Sequence, residues 1–314
     1  VAGTPSSGES VAAALAARRR ATAVGGTAVL MWALLAPLTT LSGDMPPLQI
    51  TALAFAVAFL IGCGTWGLEI RRRGLEAVLN GLRLPWPAWL IGVGGLFGYH
   101  FLYFLALSSA PPVEASLIAY LWPLLIVLFS ALLPGERLRW FHPLGALAGL
   151  AGTAILVARG GTIDFASLEP GHGVALAAAL VWSGYSVLNR RLTHVPTQAV
   201  GAFCGVTAVL AWLAHLAVET TVWPDHPGPW LAVLGLGLGP VGAAFFTWDH
   251  GVKRGDIRAL GAAAYAAPLL STLILVGLGL ATSRPSLWLA LGLIVGGAAL
   301  ASGDLLGGPR RGRG

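Results

Sequence analysis

Long apolar runs separated by short polar breaks are the dominant pattern of this chain. Apolar stretches of about 20 residues, at a helical rise of ~1.5 Å per residue, cover a hydrocarbon core of ~30 Å. Ten such stretches are predicted, at residues 22–41, 48–68, 88–108, 113–133, 142–158, 172–189, 199–219, 230–250, 258–281 and 286–306. Turn formers and charges delimit them: Ser42-Gly43-Asp44, Arg71-Arg72-Arg73-Gly74, Pro111-Pro112, Pro134-Gly135-Glu136, Gly160-Gly161, Pro196, Pro224, Gly255-Asp256 and Arg284-Pro285. Backbone in lipid must satisfy its own hydrogen bonds, so the pattern predicts an all-α membrane protein with ten transmembrane helices. The loops are too short to hold a soluble enzymatic domain.

A repeat lies within this pattern. Ala119-Tyr120-Leu121-Trp122-Pro123-Leu124-Leu125 recurs as Ala264-Tyr265-Ala266-Ala267-Pro268-Leu269-Leu270. Setting Trp32 against Trp182 pairs Pro46 with Pro196, and setting Tyr120 against Tyr265 pairs Phe101 with Phe246 and Tyr103 with Trp248. The chain therefore divides into a tail (1–20), a first five-helix repeat (21–157), a second (158–306) and a basic tail (307–314). Five is odd, so two copies in one chain must cross the membrane in opposite senses. Inverted repeats of this kind, with a site at their interface near the midplane, are a hallmark of secondary transporters.

Composition and charge sharpen this picture. Hydrophobic residues make up 56% and charged residues 10% of the chain, against about 25% charged in ordinary soluble domains. With the N-terminus inside, seventeen of the 19 Lys and Arg fall on the cytoplasmic side, and only Arg159 and Arg284 fall outside. The net charge of +6 is thus a topology signal that places both termini in the cytoplasm, and no nucleic-acid partner is implied. Residues 1–20 resemble a signal peptide but lack a clear exit site, so an uncleaved first helix is expected.

The stretches Tyr99-His100-Phe101-Leu102-Tyr103, Ala119-Tyr120-Leu121-Trp122-Pro123 and Ala264-Tyr265-x-x-Pro268 resemble the drug/metabolite transporter superfamily. More narrowly they resemble its EamA-type exporters and the YddG aromatic amino-acid exporters of bacteria. The resemblance covers nearly the whole chain. It implies a basket of helices 1, 3, 4, 6, 8 and 9 around a central cavity. It also implies export of aromatic amino acids and related metabolites across the bacterial inner membrane.

The residues carry their own signal. All five tyrosines fall inside predicted spans, where their hydroxyls need partners. Tyr99 and Tyr103 share a helix face, and Tyr120 and Trp122 flank Pro123, which cannot donate to the Ala119 carbonyl and should kink its helix. Trp182 heads a stripe with Tyr185, Ser186 and Asn189. The candidate substrate contacts are Tyr99, Tyr103, Tyr120, Trp122, Trp182, Trp248, Tyr265 and Asn189, with core packing as the competing role of each aromatic. Pro123 and Pro268 are candidate hinges, or plain packing kinks. The carbonyls they free, at Ala119 and Ala264, suit an ammonium.

His100 is a candidate proton or polar contact, or a helix-to-helix hydrogen bond. Asp249 and His250 are expected to form a wet cap at the cytoplasmic end of the eighth span. The spans lack an interior Lys or Arg, so phosphorylated cargo is not expected, and the first span lacks the carboxylate of small multidrug antiporters. Gly145-x-x-x-Gly149 and its expected equivalent Gly292-x-x-x-Gly296 permit close helix contact. Isolated Cys63 and Cys204 suggest neither a disulfide nor a metal, and no cofactor is expected.

The expected function is export of aromatic and other apolar amino acids by alternating access, by a protein working as a monomer in the bilayer. Neutral drugs or other metabolites are the alternative cargo. A channel would ordinarily show charged rings or a carbonyl filter, and an intramembrane enzyme a nucleophile or metal signature. Neither is legible in the sequence.

Overall fold

A computed structural model describes residues 7–158, 169–279, 282 and 285–303, with side chains from residue 12 onward. Arg159, Arg284, Gly160-Gly161 and the C-terminal basic tail lie outside the described residues. Among those described, every regular element is helical. Nine helices are long and apolar enough to cross a membrane: α1 (Ala12–Leu41), α2 (Pro47–Arg73), α3 (Trp86–Ser109), α4 (Pro112–Leu132), α5 (Phe141–Ala158), α6 (Pro170–Asn189), α7 (Ala199–Val218), α8 (Pro227–Arg254) and α9 (Ile257–Gly277). The expected tenth span is a shorter apolar helix, α10 (Pro285–Ala301). Helix begins at Ser7, inside the segment expected to be a tail.

Proline explains where these helices break. Pro123 divides α4 into Pro112–Ala119 and Trp122–Phe129, and Pro268 divides α9 into Ile257–Ala263 and Ala266–Gly277. The missing N–H falls four residues beyond Ala119 in α4 and five beyond Ala263 in α9. Two further breaks escaped the sequence reading. Pro37 follows the bend between Trp32 and Leu35, and Pro240 lies in a π-turn, Gly239–Ala243, in the middle of α8.

Small residues bring the helices together in antiparallel pairs. Gly62 of α2 meets Gly201 of α7, while Leu48 and Gln49 at the start of α2 donate their amides to Glu219, just past the end of α7. In α5 and α10, Gly145 stands on the Gly297 carbonyl and Gly152 on the Ala290 carbonyl. The expected role of Gly292 and Gly296 is corrected here, since a Cβ on either would meet open space. One of the actual contact residues is Gly297, and the register that makes the two contacts equivalent pairs Gly145 with Ala290.

This packing gives a measurable expectation. Gly145→Val would drive a side chain into backbone and should destabilise the protein by about 1–3 kcal/mol. Gly292→Val should leave the thermal midpoint in detergent unchanged, and equal midpoints for the two variants would refute the assignment.

Candidate functional site

A cavity of about 490 Å³ lies among α1, α3, α4, α5, α6, α8 and α9, within the usual range of about 300–1,000 Å³ for small-molecule sites. Its floor is a cluster of indoles drawn from four helices. Trp32 (α1) lies 5.9 Å from Trp122 (α4), 5.9 Å from Trp182 (α6) and 5.0 Å from Trp248 (α8), ring centre to ring centre. The edge-on and tilted packing suits the ring quadrupoles. Trp32 Nε1 donates to the Pro240 carbonyl at 3.0 Å, and Trp248 Nε1 to Ser186 Oγ at 3.1 Å. The π-turn therefore does two things: it bends α8 and offers a carbonyl to the floor.

The walls are aromatic with scattered hydroxyls. Tyr99 and Tyr103 stack 5.9 Å apart with rings nearly parallel, and Tyr99 lies 5.2 Å from Trp182. The Tyr103 hydroxyl and Ser116 Oγ are 3.3 Å apart. His100 Nδ1 donates to the Leu96 carbonyl at 2.7 Å, so the neutral ring carries its proton there and its other nitrogen is left to accept. The ring packs edge-on against Phe55.

Of the residues singled out from sequence, Tyr99, His100, Tyr103, Tyr120, Trp122, Trp182 and Pro268 line the cavity. Trp248, Tyr265, Asn189 and Pro123 do not. Trp248 is fully buried beneath the other three indoles. Tyr265 is also fully buried, its ring against Gly149, and its hydroxyl accepts the Leu124 amide at 3.2 Å, an N–H left over where α4 breaks. Asn189 donates to Asp249 Oδ1 at 2.6 Å. The Ala264 carbonyl accepts from the Ala267 amide at 3.1 Å, so part of the acceptor expected for an ammonium is taken. Phe245 and Pro240, not singled out beforehand, line the cavity.

Beneath the floor, the expected wet cap is only half present: His250 is partly exposed and accepts from Arg254 at 3.1 Å, whereas Asp249 sits in a dry ion pair. Asp249 Oδ1 lies 2.8 Å from Lys253 Nζ, both side chains being 1% exposed, and Thr197 donates to Oδ2 at 2.7 Å. A buried carboxylate held by three donors, one of them charged, is satisfied and rigid. A second buried carboxylate, Glu114 at the start of α4, pairs with His172 of α6 at 2.8 Å. His172 Nδ1 accepts the Glu169 amide, so the proton facing Glu114 is on Nε2.

Below this layer, five charged residues from distant parts of the chain close one face. Glu136 lies 2.8 Å from Arg190, 3.3 Å from Arg18 and 3.4 Å from Arg258. Asp256 lies 2.9 Å from Arg18 and 3.1 Å from Arg258, and caps α9 by accepting the Arg258 and Ala259 amides. Burial opposes ionisation of Asp256. The hydrogen bonds and charge of Arg258, with Arg18 and the Ala259 amide, outweigh it and hold its pKa below the ordinary value. Scarcity was the available sequence signal: few acidic residues occur, and Glu136 and Asp256 each follow a glycine and lie within two residues of an arginine.

Between network and floor, the adjoining halves of α4 and α9 pack together. A Cβ on Gly261 would stand 3.1 Å from Ile126 Cγ2 and 3.2 Å from Val127 Cγ2. Beyond the breaks, the other halves of α4 and α9 stand on the cavity walls. The cavity is thus closed toward the arginine-rich face and extends toward the opposite one.

Comparison with known proteins agrees with this architecture. The chain is 54% identical over 287 residues to a protein of Ancylobacter novellus named aromatic amino acid exporter YddG, covering 91% of this chain and 98% of that one. The protein of that name in Escherichia coli is 22% identical over 293 residues, 90% of this chain and 97% of its own. A probable terminal-alkyne amino-acid exporter of Streptantibioticus cattleyicolor is 25% identical over 261 residues, 78% and 83% of the two chains. A crystal structure 52% identical in sequence superposes with a TM-score of 0.85, over 92% of this chain and 98% of the other. Residues 22–158 and again 169–303 match the EamA-like transporter family, and this multi-pass membrane protein, built twice from that unit, belongs to it.

Proposed function

We propose that the protein exports aromatic and other apolar amino acids across the bacterial inner membrane by alternating access, and that the structure is its outward-facing state. The observation that carries this reading is the aromatic cavity, floored by indoles and sealed only toward the arginine-rich face. Stacking on such rings is worth about 0.5–1.5 kcal/mol per aromatic pair beyond burial, a term that aromatic side chains gain. The names of the relatives point to the same cargo.

In this reading the chain spans the membrane ten times as two inverted five-helix halves, with both termini cytoplasmic. The antiparallel pairing of α2 with α7 and of α5 with α10 supports it, since inverted equivalents must run oppositely. Tyr99, Tyr103, Tyr120, Trp122 and Trp182 contact substrate, Pro123 and Pro268 are hinges, and one chain suffices. The four buried carboxylates described, Glu114, Glu136, Asp249 and Asp256, are already paired, which favours facilitated diffusion, with any proton linkage confined to His100.

Counterflow in proteoliposomes tests the cargo. Tryptophan and phenylalanine should exchange, while lysine, glutamate and sugar phosphates should not. Exchange of unrelated neutral metabolites with no amino-acid signal would replace this reading with that of a different exporter.

A further inference from the structure

One contact between the halves of this protein exists once where the repeat supplies it twice. An offset of 145 residues relates Tyr120 to Tyr265 and Pro123 to Pro268. The same offset carries the Gly145–Gly297 contact onto the Gly152–Ala290 contact, and both are formed. It also relates Gly251 and Leu260 to Ala106 and Ala115. Gly251 and Leu260 pack on Gly25 of α1, while Ala106 and Ala115 pack with Ala175, which answers to Gly25 in α6. These packings also join the two halves and are complete at both ends. The seal of Gly261 against Ile126, Val127 and the Pro123 carbonyl has no such twin. Its images are Ser116, Ser271, Thr272 and the carbonyl of Pro268, and all four residues line the cavity.

We infer that Ser116 of α4 closes on Ser271 and Thr272 of α9 when the cavity turns to the other side, making a hydroxyl seam where the present seal is apolar. This inference rests on the alternating-access reading and gives it a specific outer gate. Ser271 supplies an observation independent of the repeat. Its side chain is 8% exposed, and its Oγ has no hydrogen-bond partner among the described residues. A buried hydroxyl is destabilising until it is paired. Thr272 Oγ1 is bonded to the Pro268 carbonyl at 2.8 Å, and Ser116 Oγ lies 3.3 Å from the Tyr103 hydroxyl. Closure would bring the orphan Ser271 a partner, and the open state would carry the unsatisfied group. The seam would thereby bias the protein toward completing its cycle.

The test uses the full chain in proteoliposomes, with Cys63 and Cys204 replaced. A Ser116→Cys/Ser271→Cys pair should form a disulfide under oxidant during tryptophan exchange, stop exchange, and release it on reduction. An Ala106→Cys/Ala175→Cys pair, already in contact, should crosslink with or without tryptophan. A single Ser116→Cys, half-buried on the cavity wall and labelled from outside by an impermeant maleimide, reports alternating access on its own. Labelling that falls during exchange without any Ser116–Ser271 crosslink would overturn the seam and leave alternating access standing. Labelling that never changes while exchange proceeds would overturn alternating access, and the seam with it. Ser271→Ala should slow exchange about two- to tenfold, and Ser271→Thr should restore most of the rate. An alanine variant at the wild-type rate would remove the hydroxyl from the gate.

Discussion

Glu136→Gln should expose the cavity to the arginine-rich face. Glu136 takes three guanidiniums, from Arg18, Arg190 and Arg258, and its side chain is 7% exposed. Gln keeps the shape and removes the charge, leaving Arg18 and Arg258 with Asp256 as their shared acid and Arg190 with only the Val252 and Gly255 carbonyls. Breaking a buried pair by removing one partner costs about 3–5 kcal/mol. Arg18 is 35% exposed and so screened, which puts the effect toward the lower end. At about 1.4 kcal/mol per tenfold, the balance between the two facings should move by roughly a hundredfold. Impermeant labelling of a cavity-lining Ser116→Cys reporter from outside should fall, and labelling of an Ile126→Cys reporter at the present seal from the other side should rise. Unchanged labelling would show that the network follows the seal and does not hold it.

The network's pH response has a definite sign. Asp256 titrates below its ordinary range in the folded protein, so its contribution is fully present above the unfolded carboxylate pKa. It is lost only as pH falls through the lowered value. Protonation of Asp256 therefore does not release the closed face anywhere near neutrality. A facing equilibrium that moved between pH 6 and 8 would implicate a different group.

The helices and their breaks at Pro123 and Pro268 were legible because each rests on a local cause. Apolar length defines a span, and a proline's missing N–H breaks a helix wherever the chain goes next. Tyr120 and Tyr265 show where that kind of reasoning stops. They occupy equivalent positions in the repeat, yet one lines the cavity and the other is buried against Gly149, capping α4. Trp248 answers to Tyr103 in the same way and lies under the floor while Tyr103 lines a wall. Under the proposed alternating access, sequence equivalence is a property of the average over both facings, and a single conformation breaks it. The assignment of Asn189 missed for another reason. Helical spacing put it on the Trp182 stripe, but Asp249, 60 residues on, reaches it first. The Glu136 network was equally hidden, since its members lie as far as 238 positions apart and only the assembled fold brings them together.

Trp182→Ala should slow tryptophan exchange by roughly tenfold to a hundredfold at subsaturating substrate while leaving an assembled protein. The indole is 3% exposed and touches Trp32, Trp122, Tyr99, Tyr185 and Phe245, so it joins the cavity floor to one wall. Truncating a buried Trp to Ala costs about 3–5 kcal/mol of stability, because neighbours relax only partly into the space. The fall in thermal midpoint should therefore be large but measurable in detergent. Binding should suffer separately. A substrate ring losing one stacking partner forfeits about 0.5–1.5 kcal/mol, and its unburied surface adds a comparable amount at about 25 cal/mol per Å². Together these weaken tryptophan affinity by roughly tenfold to a hundredfold. Trp182→Phe keeps an aromatic face and most of the volume, so it should recover much of the affinity and part of the stability. Trp230→Ala, a change at an indole outside the cavity, should leave affinity untouched. If Trp182→Ala bound tryptophan as tightly as the unchanged protein, the indole floor would be packing alone and the substrate would have to sit higher, against Tyr99, Tyr103 and Tyr120.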